Sequence, residues 1–270
     1  MSNISRLTSK LKPNQFLLSG HLITELPILF QKEMVQANLH NRKSQTRRTK
    51  GLDLVNMTPY QFIYKGRVST KEKIGGKNLF GYHDFQAPGR EHKIGGYQPG
   101  HIFSKCPYGK PGDLLWVREK WAPLIDQEGD QYGIVHSTDT DMYHGKWKPS
   151  LHMPKIASRL WLMVQDITVQ RVQDISEEDS IAEGCSLYGP FGEYRGSPHP
   201  NGGSMRYRAY STASRAFQCI WEEINGKSSW KQNPWVWVVK YRILSKTGRP
   251  SDDIILKNYL EVTGKEVVNA

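Results

Sequence analysis

The hydrophobic positions of the chain follow two patterns, one helical and one alternating, separated by long polar stretches. LPILFQKEMVQANLHN, residues 26–41, carries Phe30, Met34 and Ala37 at helical spacing, with Pro27 placed for a first turn, and predicts a helix. After the Pro111-Gly112 turn signal, Leu115, Val117 and Glu119 alternate with Trp116, Arg118 and Lys120, as in a half-buried strand. SRLWLMVQDITVQRV, residues 158–172, reads as a longer strand with Leu160, Leu162 and Val164 on one face, and NPWVWVVKYRI, residues 233–243, is the clearest strand of all. In ISEEDSIAEG, Ser176 and Asp179 stand at capping-box spacing and Gly184 is a natural stop, which predicts a short helix. STASRAFQCIWEEING predicts another.

Elsewhere the pattern dissolves. Residues 51–105 are Gly-rich and polar with no sustained period and read as a long insertion or mobile loop; residues 186–212 form a second Gly/Pro-rich loop. The expected organisation is a lead-in over residues 1–20, one domain over 21–245 carrying those two segments, and a tail over 246–270 with little packing signal beyond DDIILKNYL. Strands are separated by loops rather than by regular crossover helices. That order predicts an α+β fold, a small mixed β-barrel with flanking helices, and argues against a doubly wound sheet.

Composition adds bounds. A chain of 270 residues, 37% hydrophobic, with eight Trp and thirteen Tyr, is globular in character and can bury a real core. It has no run of about 18 apolar residues, so no transmembrane helix and no membrane partner are expected, and its N-terminus lacks the uninterrupted apolar segment of a secretory signal. Cys106, Cys185 and Cys219 are far apart and odd in number, which suits a reducing, cytoplasmic setting.

Charge changes the picture more. A net charge of +11 attracts polyanions, with a solubilising surface as the plainer alternative. GxxxxGK[ST], CxxC, HExxH and GxSxG are all missing from the sequence, so neither a metal nor a cofactor is expected. The basic strip HNRKSQTRRT, residues 40–49, follows the first predicted helix. One or two cations could offset a helix C-terminus, but Arg42, Lys43, Arg47 and Arg48 are four within seven residues. Such forks suit phosphate or a polar base edge. Lys43, crowded by guanidiniums, is expected to have a lowered pKa and to be able to take a proton from Thr46 or Ser44. Glu183, one residue before Gly184, faces a negative helix end, which favours its protonated form; the plainer reading is a surface carboxylate. Trp116, Trp235 and Trp237 could stack on bases or fill the core. MRYRAY interleaves Arg206, Tyr207, Arg208 and Tyr210 in a loop, a pattern suited to single-stranded nucleic acid.

Four blocks in order, NRKSQTRR, KPGDLLWVRE, DISEEDSIAEG and NPWVWVVKY, make the chain resemble the ASCH-domain proteins of the PUA-like superfamily, in particular the longer bacteriophage and prophage members. The resemblance runs from about Pro27 to Tyr241, apart from most of the 51–105 insertion. It implies a small barrel with a cleft for RNA or a nucleobase. Small bacterial members are acetylcytidine amidohydrolases with the pattern GRKTxTxR. Residue by residue, their Lys and Thr fall on Lys43 and Thr46, and their catalytic Glu, after an LTE-type helix start, falls on Glu183. A related member is a ribonuclease. This chain departs from the pattern at Asn41, where the family has Gly, and at Ser44, where it has Thr. The expectation is therefore a cytoplasmic protein (host cytoplasm if phage-encoded) that binds RNA, a nucleoside or nucleotide, or modified DNA. Lys43, Thr46 and Glu183 are its expected catalytic residues, and Arg42, Ser44, Arg47, Arg48, Arg118, Arg206, Tyr207 and Arg208 its expected binding residues. The alternatives are a non-catalytic binding module of phage origin and a ribonuclease; a structural role in a phage particle has no residue pattern behind it.

Overall fold

The computed structural model describes residues 11–57, 62–68, 73–74, 77–78, 81–87, 100–140, 143–188, 193–195 and 209–266. In chain order the strands are β1 (Gln15–Leu18), β2 (His21–Leu29), β3 (Gln45–Arg48), β4 (Ile63–Arg67), β5 (Lys73–Ile74), β6 (Lys77–Asn78), β7 (His83–Gln86) and β8 (His101–Ser104). They continue as β9 (Leu114–Arg118), β10 (Trp121–Ile125), β11 (Gln131–His136), β12 (Trp161–Arg171), β13 (Ser186–Tyr188), β14 (Glu193–Arg195), β15 (Ala209–Tyr210) and β16 (Trp235–Ser245). The α-helices among the described residues are α1 (Lys32–Leu39), α2 (Glu177–Ala182), α3 (Ala213–Asn225) and α4 (Asp252–Thr263). The fold is mixed α+β and rich in strands, as expected, and none of these helices is long and apolar enough to cross a membrane.

The central sheet has the order β1-β2-β9-β12-β16-β3, with β2 and β9 parallel and the other neighbours antiparallel. The long pair β12 and β16 forms its spine. Leu160, Leu162 and Val164 share a face and join Trp237, Val239 and Tyr241 in the largest core cluster, while Trp161 and Met163 point into a different cluster. Trp116 and Trp237 are core residues rather than exposed stacking platforms.

The expected closed barrel is not formed; the sheet is open at β1 and β3. The reason lies at β3, whose outer side is taken by α2 rather than by another strand. Ser44 N–H donates to Ala182 O, and the Gln45 side chain donates to Asp179 O at 2.9 Å. A helix that covers a strand edge in this way satisfies the backbone groups a barrel would otherwise pair.

Further expectations are corrected. The helix expected over residues 26–41 begins only at Lys32, because residues through Leu29 belong to β2 and pair with β9, Pro27 opposite Trp116. Past the Glu25 N–H bond to Asn14 O, the outer side of β2 has no strand neighbour, so a residue without an N–H is tolerated there. The insertion is not simply a loop: β4, β7 and β8 make an antiparallel sheet, and Phe62 and Phe85 enter the main core. Likewise β13, β14 and β15 pair within the stretch read as the 186–212 loop. Residues 11–20 of the lead-in and 246–266 of the tail are also structured. β1 pairs with β2, and α4 buries Ile255 and Tyr259 against Leu114, Trp116 and Trp161. Gly112, at φ +89°, permits this packing, since a Cβ there would lie 2.6 Å from the Tyr259 ring.

The two predicted helices after β12 form as expected. Ser176 Oγ accepts the Asp179 N–H, and Thr212 Oγ1 accepts the Arg215 N–H. The Glu177 carboxylate accepts the N–H groups of Ala213 and Ser214, tying α2 to the start of α3. The apolar stripe of α3, including Phe217, Ile220 and Trp221, then packs on Val236 and Val238 of β16.

Two outcomes follow from this packing. Tyr259→Ala removes the ring that joins α4 to the sheet and is expected to cost about 3 kcal/mol in urea unfolding; a value near zero would make the tail peripheral. His83 hydrogen-bonds Tyr64 at 2.8 Å, sits edge-on to Trp237, and has its pKa lowered to about 4 by burial first and by Arg67 second. Between pH 6.5 and 4 the unfolded chain binds a proton that folded His83 refuses, so stability falls across that window as pH is lowered. Urea midpoints are expected to show a loss of about 2 kcal/mol that His83→Gln abolishes.

Candidate active site

Strand alternation organises the basic strip. Lys43, Gln45 and Arg47 all reach α2 and its C-terminal turn, and each meets a specific acceptor there. Lys43 Nζ donates to Glu183 Oε2 and to the Glu183 main-chain oxygen, both at 2.7 Å. Arg47 donates to Glu183 Oε1 at 3.1 Å, to Asp179 Oδ2 at 2.6 Å and to Gln170 Oε1 at 3.1 Å. The side chains of Lys43 and Arg47 are 0% exposed and that of Glu183 is 3% exposed. Two buried cations are therefore balanced by one buried carboxylate, Glu183, and one partly exposed carboxylate, Asp179.

The backbone makes this approach possible. Gly184 adopts φ +106°, and a Cβ there would stand 3.2 Å from the Ala37 Cβ and 3.7 Å from the Lys43 Cβ. Only a residue at ease in the left-handed region brings the end of α2 so close to α1 and the strip. Lys43 then supplies the cation that the C-terminal end of α2 otherwise lacks.

The lowered pKa expected for Lys43 is present, with a different main cause. Burial lowers it first and the charge of Arg48 adds to this, while Glu183 opposes both. The reasoning for Glu183 changes too. Its carboxylate does not simply look at a helix end: each oxygen takes a cationic donor. Near Glu183 lies the buried Tyr241 hydroxyl, whose polar neighbour is the Asn38 side chain; neither the hydroxyl nor Asn38 Oδ1 makes a well-formed hydrogen bond among the described residues. The Tyr241 pKa is pushed well up by burial and further by Glu183.

Thr46 is buried, and no hydrogen bond joins it to Lys43 among the described residues. It lines a cavity of about 110 Å³ together with Glu183, Arg47, Phe217 and Trp221. Met34, Arg48 and Ile224 border both this cavity and a trough of about 750 Å³ that also touches Phe30, Lys120 and Trp147. The trough is mixed in charge rather than basic: Lys32, Arg48 and Lys120 share it with Glu33 and Glu223.

The other expected site residues divide. Arg48 is half-buried, lies 5.3 Å over the Phe30 ring, and donates to Leu29 O, so it faces the cleft with part of its fork already used. Arg47 holds protein carboxylates instead of standing free for a ligand. Arg42 is exposed and reaches Ser186 Oγ at 3.5 Å, and Ser44 is an exposed edge residue whose backbone bonds α2. Arg118 lies 4.6 Å over the Trp116 ring and donates to Leu151 O, away from the Lys43 cluster. Arg206, Tyr207 and Arg208 lie outside the described residues. Sequence reasoning missed Asp179 and Gln170 as partners of Arg47, and Lys120 and Trp147 as cleft residues. Period-two spacing of Lys43, Gln45 and Arg47 was the one signal that could have separated inward from outward positions.

Among the described residues, no group of three or more His, Cys, Asp and Glu side chains is placed to hold a metal ion. Compared with protein-family models, with curated proteins and with solved structures, the chain has no match.

Removing one partner from a buried ion pair leaves an uncompensated charge. Lys43→Met is therefore expected to destabilise the fold by about 3 kcal/mol or more in urea unfolding, and adding Glu183→Gln to recover part of that loss. Strictly additive single and double variants would mean that the two groups are not coupled.

Proposed function

We propose that the chain is a PUA-like ASCH protein that takes a modified, acylated cytidine-like base into the cavity beside Lys43 and hydrolyses its amide. One observation carries this reading: a fully buried lysine with a lowered pKa shares a 2.7 Å contact with Glu183 at the wall of a cavity that Thr46 also lines. Burying such a pair is costly, and perturbed groups of this kind at a cavity wall suit acid–base work. The mixed charge of the trough favours a base or nucleoside over a long polyanion.

In the reactive state, the proton held between Lys43 Nζ and Glu183 Oε2 lies on the carboxylate, leaving Lys43 as an amine. Lys43 takes the Thr46 hydroxyl proton while Oγ1 attacks the acyl carbon. The C–N bond breaks as Glu183 gives its proton to the leaving amine. Water then attacks the acyl-threonine and passes one proton to Glu183. The Lys43 ammonium returns its proton to Oγ1, and the carboxylic acid departs. Across the two steps, amide and water become amine and acid. Arg48 with Trp147 borders the entry to the chamber.

The test is to incubate the protein with acetylcytidine and with acetylated RNA and to follow deacetylated product by chromatography. Glu183→Gln and Lys43→Gln, each checked for folding by circular dichroism, are expected to lower the rate by at least about 100-fold. Thr46→Val separates routes: lost turnover places the nucleophile on Thr46, and retained turnover places it on water. No product from either substrate, with the base bound in the trough, would make the chain a binding module.

A further inference from the structure

The trough beside Arg48 is not where the free positive charge is concave. A second cavity of about 460 Å³ shares no lining residue with the trough or with the smaller chamber. Its cations come from three separate parts of the chain: Lys12 before β1, Lys105 and Lys110 in the turn before β9, and Arg67, with His83 nearby in the lining, from the insertion.

Lys12, Arg67, Lys105 and Lys110 are exposed at this cavity, and none of the four forms an ion pair among the described residues. The one carboxylate in the lining, Asp113, is buried and already satisfied. Its Oδ1 accepts the Thr24 N–H and its Oδ2 the Lys110 N–H, both at 3.0 Å. His83 stays neutral above about pH 4, and Asp166, which acts on it through space, is not part of the lining. Behind the cations the surface turns apolar, with Leu22, Leu26, Pro107 and Ile167.

Four cations around a concavity, none in an ion pair among the described residues, create a field that a single monovalent anion would only partly answer. An apolar floor beneath them suits a ring attached to the anion. The volume lies in the range of small-ligand pockets, whereas a nucleic-acid strand needs a groove that continues past it.

We propose that this cavity binds a nucleoside polyphosphate, with its phosphates on Lys12, Arg67, Lys105 and Lys110 and its base or sugar against Leu22, Leu26 and Ile167. The proposal does not depend on the deacylation reading. It also gives the insertion a role, since Arg67 and the β4–β7 sheet complete one wall.

Calorimetric titration of the full chain with ATP tests it, with adenosine, inorganic phosphate and a short single-stranded oligonucleotide as comparisons. ATP is expected to bind at one site per chain and to bind more tightly than adenosine or phosphate. Arg67→Ala and Lys110→Ala, both exposed and free of ion pairs, are each expected to weaken it about 10-fold. Lys120→Ala, in the trough, is expected to leave ATP binding unchanged. Three results would overturn the proposal: no ATP binding up to about 1 mM, ATP binding indifferent to Arg67 and Lys110, or an oligonucleotide that binds more tightly than ATP through those same residues. The last would assign the cavity to a strand instead.

Discussion

The edge of the central sheet is held by charge taken out of water. Lys43 and Arg47 from the strip meet Glu183 and Asp179 at α2, and the four charges cancel with three of them closed to solvent and Asp179 at the rim. Each ion alone would cost several kcal/mol to bury, so the arrangement stands only because all four partners are present in good geometry. That constraint sets the place of α2, the end of the sheet, and the walls of the chamber beside Thr46. It also explains why the sheet does not curl into a barrel: a helix bound through its charges occupies the position a closing strand would need.

Much of the framework was readable where one physical signal acted alone. The strands over 158–172 and 233–243 follow unbroken alternation, and the helices after Ser176 and Thr212 follow their caps. Where two signals competed, the reading failed. Pro27 suits the first turn of a helix and also the open side of a strand, and only the neighbour β9, almost ninety positions on, decides between them. The insertion strands are short and broken by glycine, and their register comes from Phe62 and Phe85 meeting a core built elsewhere. The tail showed little signal beyond DDIILKNYL because α4 fully buries just two side chains, Ile255 and Tyr259.

The site was legible in its residue types and not in its partners. Spacing and family pattern pointed to Lys43, Thr46 and Glu183, and the structure brings Lys43 and Glu183 into contact. Composition could not say which cations of the strip are spent internally. Arg47 meets acceptors at Gln170, Asp179 and Glu183, all more than 120 positions away, and no local rule anticipates them. The densest run of positive charge in the sequence thus has two of its four Lys and Arg side chains neutralised, while lysines and an arginine scattered from residue 12 to residue 110 share a cavity without ion-pair partners among the described residues.

The order of strands has a consequence for how the protein comes to exist. β3 pairs only with β16, through contacts such as Thr46 with Val239, so the strip waits for residues near the far end of the chain. On the ribosome, Lys43 and Arg47 emerge early and remain hydrated while nearly two hundred further residues are made. Their partners at 179 and 183 appear late, and the strand that holds β3 in register appears later still. A sheet dominated by such distant pairings forms slowly. The chamber therefore cannot close until β16 has been made, and a nascent chain halted before β16 would carry Lys43, Thr46 and Glu183 without the strand that holds Thr46 in register.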